Sequence, residues 1–212
     1  MSLVGKKFPN ITVDAISFMG DNLRINVLDE AVQNNKKVIL FWYPKDFTFV
    51  CPTELHAFQA ALQEFENRNT MVIGASCDTN EVHFAWLNTP KNNGGIEGVT
   101  YPILADTNRN LSNILGILDI ESTSYSEDTD SVIVEGSNVT YRATYLIDET
   151  GKIFHESVND MPLGRNVNEY LRMIDAFTHI QTKGEVCPAN WEQGKEAMTA
   201  DRSSTATYLA AL

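Results

Sequence analysis

Phe41-Trp42-Tyr43-Pro44-Lys45-Asp46-Phe47-Thr48-Phe49-Val50-Cys51-Pro52-Thr53-Glu54 reads as the end of a buried strand, a short connection and the start of a helix. Just upstream, Lys36-Lys37 open into Val38-Ile39-Leu40-Phe41-Trp42-Tyr43. So continuous an apolar run predicts a central strand covered on both faces, which Pro44 ends. Downstream, Leu55, Phe58, Leu62 and Phe65 recur at helical spacing, and they predict a helix with one buried stripe. Pro52 suits the first helical position, where its missing N–H leaves no bond unmade.

Farther out, Met71 to Ala75 predicts a second buried strand and Asn80 to Leu87 a helix. Asn92-Asn93-Gly94-Gly95 makes a loop, Tyr101 to Leu104 a short strand, and Asn108 to Leu115 a helix. Tyr145-Leu146-Ile147 and Ile153-Phe154 flank Asp148-Glu149-Thr150-Gly151, the pattern of a hairpin. A last long helix is expected from Asn166, whose side chain can cap it, with Glu169 following and Val167, Leu171, Ile174 and Phe177 on its buried face. Glu121 to Asp130 is acidic and rich in Ser and Thr, and reads as an exposed loop. Strands alternating with helices, then a hairpin and a helix, predict an α/β sandwich with a mixed sheet. The expected organisation is one domain over residues 1–181 and a C-terminal arm over 182–212.

The balance of charge narrows the function. With 16 Lys and Arg against 28 Asp and Glu, the chain carries a formal charge of −12. Such a surface repels phosphate backbones, so no nucleic-acid partner is expected. No run approaches the roughly 20 apolar residues that cross a bilayer, and residues 1–18 lack the pattern of a secretory signal. The expectation is a cytoplasmic protein without a membrane partner. An apolar content of 43% supplies a full core. The three cysteines are too few for a disulfide scaffold and too many by one for complete pairing. Their interest is therefore reactivity.

Cys51 leaves a buried strand and enters a helix start, where backbone N–H groups lack intrahelical partners. These groups and the helix dipole favour negative charge on the sulfur. The dipole contributes at most about 2 kcal/mol, so a second positive group is called for. An arginine fits best, because it stays charged and forks two hydrogen bonds.

Pro44-x-x-x-Thr48-x-x-Cys51, extended by Thr53-Glu54, resembles the active-site motif of peroxiredoxins. The likeness covers nearly the whole chain and is closest to the typical two-cysteine class, which includes the catalytic subunit of alkyl hydroperoxide reductase. It implies a thioredoxin-like fold in which Cys51 attacks peroxide and becomes a sulfenic acid. Thr48 would hydrogen-bond the peroxide and the thiolate, and Pro44 would shield the site from water. Arg142, in Tyr141-Arg142-Ala143-Thr144, falls where the family has its catalytic arginine. Glu54 and Arg165 stand where the family has residues that hold that arginine in place. Gly184-Glu185-Val186-Cys187-Pro188 resembles the resolving segment. Cys187 would therefore condense with the sulfenic acid of a partner subunit, and the 136 residues separating it from Cys51 already exclude a local C-x-x-C pair.

The resemblance further implies a homodimer, rings of dimers up to a decamer, and a thioredoxin-like or flavoprotein disulfide reductant. No cofactor is called for. His56, His83, His155 and His179 are scattered, and each reads as a core or surface residue rather than a metal ligand. Cys77, at a strand end, reads as structural, and Trp86 as packed core. Residues 119–140 are longer and more acidic than the family pattern before its arginine strand. Gly94-Gly95-Ile96-Glu97 and Tyr208-Leu209 only partly match the Gly-Gly-Leu-Gly and Tyr-Phe motifs that slow local unfolding in overoxidation-sensitive members. Two readings stay open at this level: a thiol-dependent peroxidase acting on hydrogen peroxide and organic hydroperoxides, and a peroxide sensor or chaperone-like redox assembly.

Overall fold

The computed structural model describes residues 2–120 and 122–211, and the chain divides into two compact units, Met1–Arg165 and Asn166–Leu212. The division expected at 181–182 falls within the last turn of a helix that runs to Lys183.

In the first unit the elements in chain order are strands β1 (Thr12–Ile16) and β2 (Asn22–Asn26), helix α1 (Val27–Asn34) and strand β3 (Lys37–Trp42). Helices α2 (Cys51–Ala60) and α3 (Leu62–Asn67), strand β4 (Thr70–Ser76) and helix α4 (Asn80–Leu87) follow. Strand β5 (Ile103–Ala105), helix α5 (Asn110–Leu115) and strands β6 (Ser122–Ser126), β7 (Ser131–Glu135), β8 (Arg142–Ile147) and β9 (Ile153–Asn159) complete it. Seven strands form one mixed sheet in the order β2-β1-β5-β4-β3-β8-β9. β3, β4 and β5 run parallel, and the remaining pairs are antiparallel.

The apolar run at 38–43 is the sheet's central strand. Every residue of β3 is buried, because β4 and β8 pair with its two edges while both faces are covered. Val38, Leu40 and Trp42 point into a cluster with Phe8, Val13, Ile25, Ile73, Leu104 and Tyr145. On the other face Phe41 stacks on Phe58 of α2, with ring centroids 4.0 Å apart. Each fully buried side chain of this size contributes about 1.5–3 kcal/mol. Lys37 is also buried, and Glu149 neutralises it at 2.7 Å.

The hairpin between β8 and β9 forms around Asp148, whose Oδ1 accepts from the backbone N–H groups of Thr150 and Lys152, each at 2.9 Å. Gly151 closes the turn at a φ of +80°, in the left-handed region that favours glycine. The expected helix after Cys51 is two helices. Ala61 at φ −94°, ψ 5° separates α2 from α3, and Leu62 starts the second.

The acidic stretch after Ile120 is not a plain loop: β6 and β7 pair antiparallel in a separate two-stranded sheet, from Ser122↔Glu135 to Ser126↔Ser131. Glu121 lies outside the described residues. Tyr125 and Val132 stay exposed, so the ribbon buries no apolar face of its own.

The second unit holds helices α6 (Val167–Lys183) and α7 (Arg202–Ala210). Asn166 caps α6 by accepting from the Asn168 N–H at 3.1 Å. Val167, Leu171 and Ile174 are buried as expected, together with Tyr170 and Ala176, whereas Phe177 is half-buried. The C-terminal segment ends in helix α7, which the Asp201 carboxylate starts by accepting from the Ser204 N–H at 2.8 Å.

Candidate active site

Cys51 is the first residue of α2 and is 1% exposed. Pro52 follows it at the second helical position, one later than expected. The residue before the helix, Val50, supplies no side-chain cap, and its carbonyl instead accepts from the Thr53 and Glu54 N–H groups at 3.0 and 3.3 Å. Because Pro52 has no N–H and those of Thr53 and Glu54 are taken by the Val50 carbonyl, what the helix start offers the sulfur is the positive end of its dipole.

Helical spacing puts Glu54 on the same face as Cys51, three residues on. Arg142 opens β8 at the position opposite Asn159, with its side chain 4% exposed. Its Nη1 donates to Glu54 Oε2 at 2.6 Å and stands 3.4 Å from the Cys51 sulfur. Its Nε donates to the Met161 carbonyl at 2.6 Å, which fixes the plane of the guanidinium. The backbone of Arg165 donates to Glu54 Oε1 at 3.0 Å, while its Nε and Nη2 grip the two oxygens at 2.8 and 2.9 Å. Its Nη1 donates to the Ala143 carbonyl and to Thr144 Oγ1. The same guanidinium lies over the ring of Phe41 at 5.1 Å and faces Phe58 at 5.8 Å. One buried carboxylate thus sits between two guanidinium groups and holds both in a fixed plane.

Thr48 Oγ1 donates to the Lys45 carbonyl at 2.8 Å and keeps its lone pairs free to accept. Pro44 is buried at the end of β3, and Phe49, between Thr48 and Cys51, is 94% exposed. Cys77 is half-buried 3.9 Å from Ser112 Oγ, and burial pushes its thiol up to about 11. Trp86 is core, as its sequence context suggests, and its Nε1 donates to the Gly94 carbonyl at 2.9 Å. Among the described residues no group of three or more His, Cys, Asp or Glu side chains is arranged to hold a metal ion.

A second buried polar group lies under the loop that carries Thr48. Asp46 Oδ2 is 2.7 Å from His83 Nδ1, with the two side chains 1% and 0% exposed. His83 Nε2 donates to the Leu104 carbonyl at 3.2 Å, and the Tyr43 hydroxyl is 3.4 Å from Nδ1. The Asp46 backbone N–H donates to Asp78 Oδ2 at 2.8 Å, tying the loop to the end of β4. Burial raises the Asp46 carboxyl above its ordinary range despite His83, and its Oδ1 is buried with no hydrogen-bond partner. Sequence reading missed this cluster, since 37 residues separate the pair. A charged residue directly after the strand-ending Pro44-Lys45 was the only local signal.

In the second unit, Cys187 is half-buried after α6, and its sulfur donates to the Ala176 carbonyl at 3.6 Å. Burial raises this thiol, opposed by Arg172 and assisted by Glu185. All three cysteines are free thiols.

Comparison with known proteins identifies relatives over the length of the chain. The model of the AhpC/TSA family matches residues 4–156, and that of the C-terminal domain of 1-Cys peroxiredoxin matches residues 176–210. The chain is 40% identical to an alkyl hydroperoxide reductase C of Helicobacter pylori, over 98% of this chain and 96% of that protein. It is 35% identical to a chloroplastic 2-Cys peroxiredoxin, BAS1, of Hordeum vulgare, over 100% of this chain and 92% of the other. Among solved structures, the reduced 2-Cys peroxiredoxin of Plasmodium vivax superposes with a TM-score of 0.87 at 35% identity, covering 99% of this chain and 100% of that one.

Proposed function

Because the chain belongs to the AhpC/TSA family and is a peroxiredoxin, a thiol-dependent peroxidase with the thioredoxin-like fold, we propose that Cys51 is its peroxide-attacking sulfur and Cys187 its resolving partner. The observation that carries this reading is the 3.4 Å approach of Arg142 Nη1 to the Cys51 sulfur at an uncapped helix start.

The thiolate of Cys51 attacks one peroxide oxygen, and the O–O bond breaks as the S–O bond forms. The second oxygen leaves with the electron pair and takes a proton, giving water from hydrogen peroxide or an alcohol from an organic hydroperoxide. Cys51 is left as a sulfenic acid. Arg142 bears on the oxygen on which charge develops, so it stabilises the transition state more than the bound peroxide, while the lone pairs of the Thr48 hydroxyl accept from the peroxide O–H. Glu54 and Arg165 are positioning residues that hold Arg142 in plane, and Pro44 keeps water from the sulfur. Cys187 of a partner subunit then displaces the sulfenic oxygen as water and forms a disulfide, which a thioredoxin-like or flavoprotein dithiol reduces. On this reading residues 1–181 carry the peroxide chemistry and the arm 182–212 brings the resolving thiol, in a homodimer able to associate into rings.

Stopped-flow peroxide reduction with thioredoxin and its reductase, run beside a non-reducing gel, tests the assignment. The wild type turns over and gives a dimer-sized band. Cys51→Ser gives neither, and Cys187→Ser consumes about one equivalent of peroxide without a dimer band. Steady turnover by Cys51→Ser would overturn the assignment. A monomer-sized product bridging Cys51 and Cys187 would place resolution within one chain.

A further inference from the structure

The segment that carries Cys187 is folded back on its own helix by several contacts, two of which are made by one side chain. His179, near the end of α6, donates from Nε2 to Glu185 Oε2 at 2.7 Å. The same imidazole packs against Trp191, with ring centroids 4.9 Å apart. Glu185 and Trp191 flank Cys187 on either side in sequence. Trp191 is 2% exposed; its Nε1 donates to the Lys195 carbonyl at 3.1 Å, and its own carbonyl accepts from Arg172 Nη1 at 3.3 Å. Val186 and Met198 exchange backbone hydrogen bonds at 2.8 and 3.2 Å. Held between these fastenings, the Cys187 thiol donates a hydrogen bond to the Ala176 carbonyl at 3.6 Å.

We propose that His179 is a positioning residue for resolution: by gripping Glu185 and Trp191 together it latches Cys187 in a pose that cannot attack, and its release sets the rate of disulfide formation. The proposal rests on the assignment of Cys187 as the resolving thiol. A thiol that donates its hydrogen to a carbonyl carries the proton and directs its lone pairs away from that bond, whereas the attacking species is a freely directed thiolate. In condensation the Cys187 sulfur forms the S–S bond as the S–O bond of the Cys51 sulfenic acid breaks. The departing hydroxide combines with the proton lost by Cys187 and leaves as water, so no further oxidant or reductant enters. None of this can begin while the sulfur faces Ala176. Both contacts of His179 lie within four residues of Cys187, so breaking them frees the segment where it matters.

The test mixes reduced protein rapidly with one equivalent of hydrogen peroxide, quenches with acid and an alkylating agent, and follows Cys51 by mass spectrometry. Wild type, His179→Ala, His179→Gln, His179→Phe and Glu185→Gln are compared. The appearance of sulfenic acid is expected to stay within twofold in all five, because the latch does not touch Cys51 chemistry. Disulfide formation is expected to quicken about three- to tenfold in His179→Ala, from the loss of one half-buried hydrogen bond to a carboxylate and one ring contact. His179→Gln keeps the bond to Glu185 and His179→Phe keeps the ring on Trp191, so each falls between the two extremes. Glu185→Gln still accepts from Nε2 through its amide oxygen, so it falls between wild type and His179→Phe, and His179→Phe carries the test if the alanine variant does not fold. A disulfide rate within twofold of wild type, or slower, in His179→Ala, or in His179→Phe where the alanine variant does not fold, overturns the latch. A wild type that forms no Cys51–Cys187 bridge overturns the underlying assignment instead, and the two failures are read from different samples.

Discussion

Arg142 reaches the sulfur of Cys51 at 3.4 Å from a strand 91 residues further along the chain. Because the same nitrogen is also bound to Glu54 at 2.6 Å, the guanidinium cannot swing away without breaking a buried ion pair. Arg142→Ala is expected to lower the single-turnover rate of peroxide attack on the order of 10²-fold. Arg142→Lys keeps a charge but not the fork that serves Met161 and Glu54 together, so it recovers only part of the loss. A stopped-flow rate within threefold of wild type in the alanine variant would remove Arg142 from the reaction.

Glu54→Gln tests the carboxylate between the two arginines. The change leaves Arg142 and Arg165 facing each other without their shared counter-charge, in a site where Glu54 is 3% exposed. Breaking one partner out of a buried pair typically costs about 3–5 kcal/mol. The variant should therefore unfold at markedly lower urea concentration and lose peroxide activity with it. Unchanged urea unfolding would mean that the pair contributes no net stability.

Cys77 provides the contrast. With its thiol pushed up to about 11 by burial, the thiolate fraction at pH 7.5 is below roughly one in a thousand. Iodoacetamide labelling at Cys77 should be negligible there and rise about tenfold per pH unit as pH climbs toward that value. Cys77→Ser should leave peroxide turnover within a few-fold. Fast neutral-pH labelling mapped to Cys77 by peptide mass spectrometry would contradict the geometry around Ser112.

Asp46 carries a pH dependence whose sign follows from its burial. Its folded-state carboxyl is raised above the ordinary range, so the folded protein binds its proton more tightly than the unfolded chain does. The stability this provides is full below the unfolded value of about 3.9 and is lost as pH rises through the raised folded value. Asp46→Asn does not ionise. Its stability relative to wild type should therefore improve with rising pH across that window, measured by urea unfolding at a series of pH values. A difference that is flat or runs the other way would show that the bond to His83 outweighs burial.

The sequence was most readable where one strong local signal coincided with burial. The unbroken run at 38–43 could only be a strand covered on both faces, and Asn166 before Val167 marked a helix start. The motif from Pro44 to Glu54 located the sulfur. Other features had no local mark. The break at Ala61 involves neither Gly nor Pro and interrupts an intact apolar spacing. Strand β6, Ser122-Thr123-Ser124-Tyr125-Ser126, carries almost only small polar residues and its side chains stay largely exposed, so it resembles a loop. β1, β2 and α1 are short and gain their burial from partners far along the chain, as Asp14↔Ala105 illustrates. Arg165 reaches Glu54 across 111 residues, and nothing around Gly164 signals a buried guanidinium sandwiched by Phe41 and Phe58. His83 likewise looks incidental until the fold sets it against Asp46.

The placement of Glu54 between Arg142 and Arg165 gives the pocket a parity of charge that a single turnover disturbs. Two guanidinium groups and one carboxylate sum to one positive charge, which a thiolate at Cys51, the attacking species proposed above, would cancel before the reaction. Once the sulfur has accepted oxygen it is neutral, and an unbalanced cation is left among side chains that are 1–4% exposed. Burial of an uncompensated charge is opposed by several kcal/mol, while the helix start beside it has no side-chain cap to hold it closed. The product state is thus less content with its own burial than the reactant state. On the proposed assignment, oxidation of Cys51 therefore leaves the first turn of α2 beside one unneutralised buried charge that the reduced pocket does not carry.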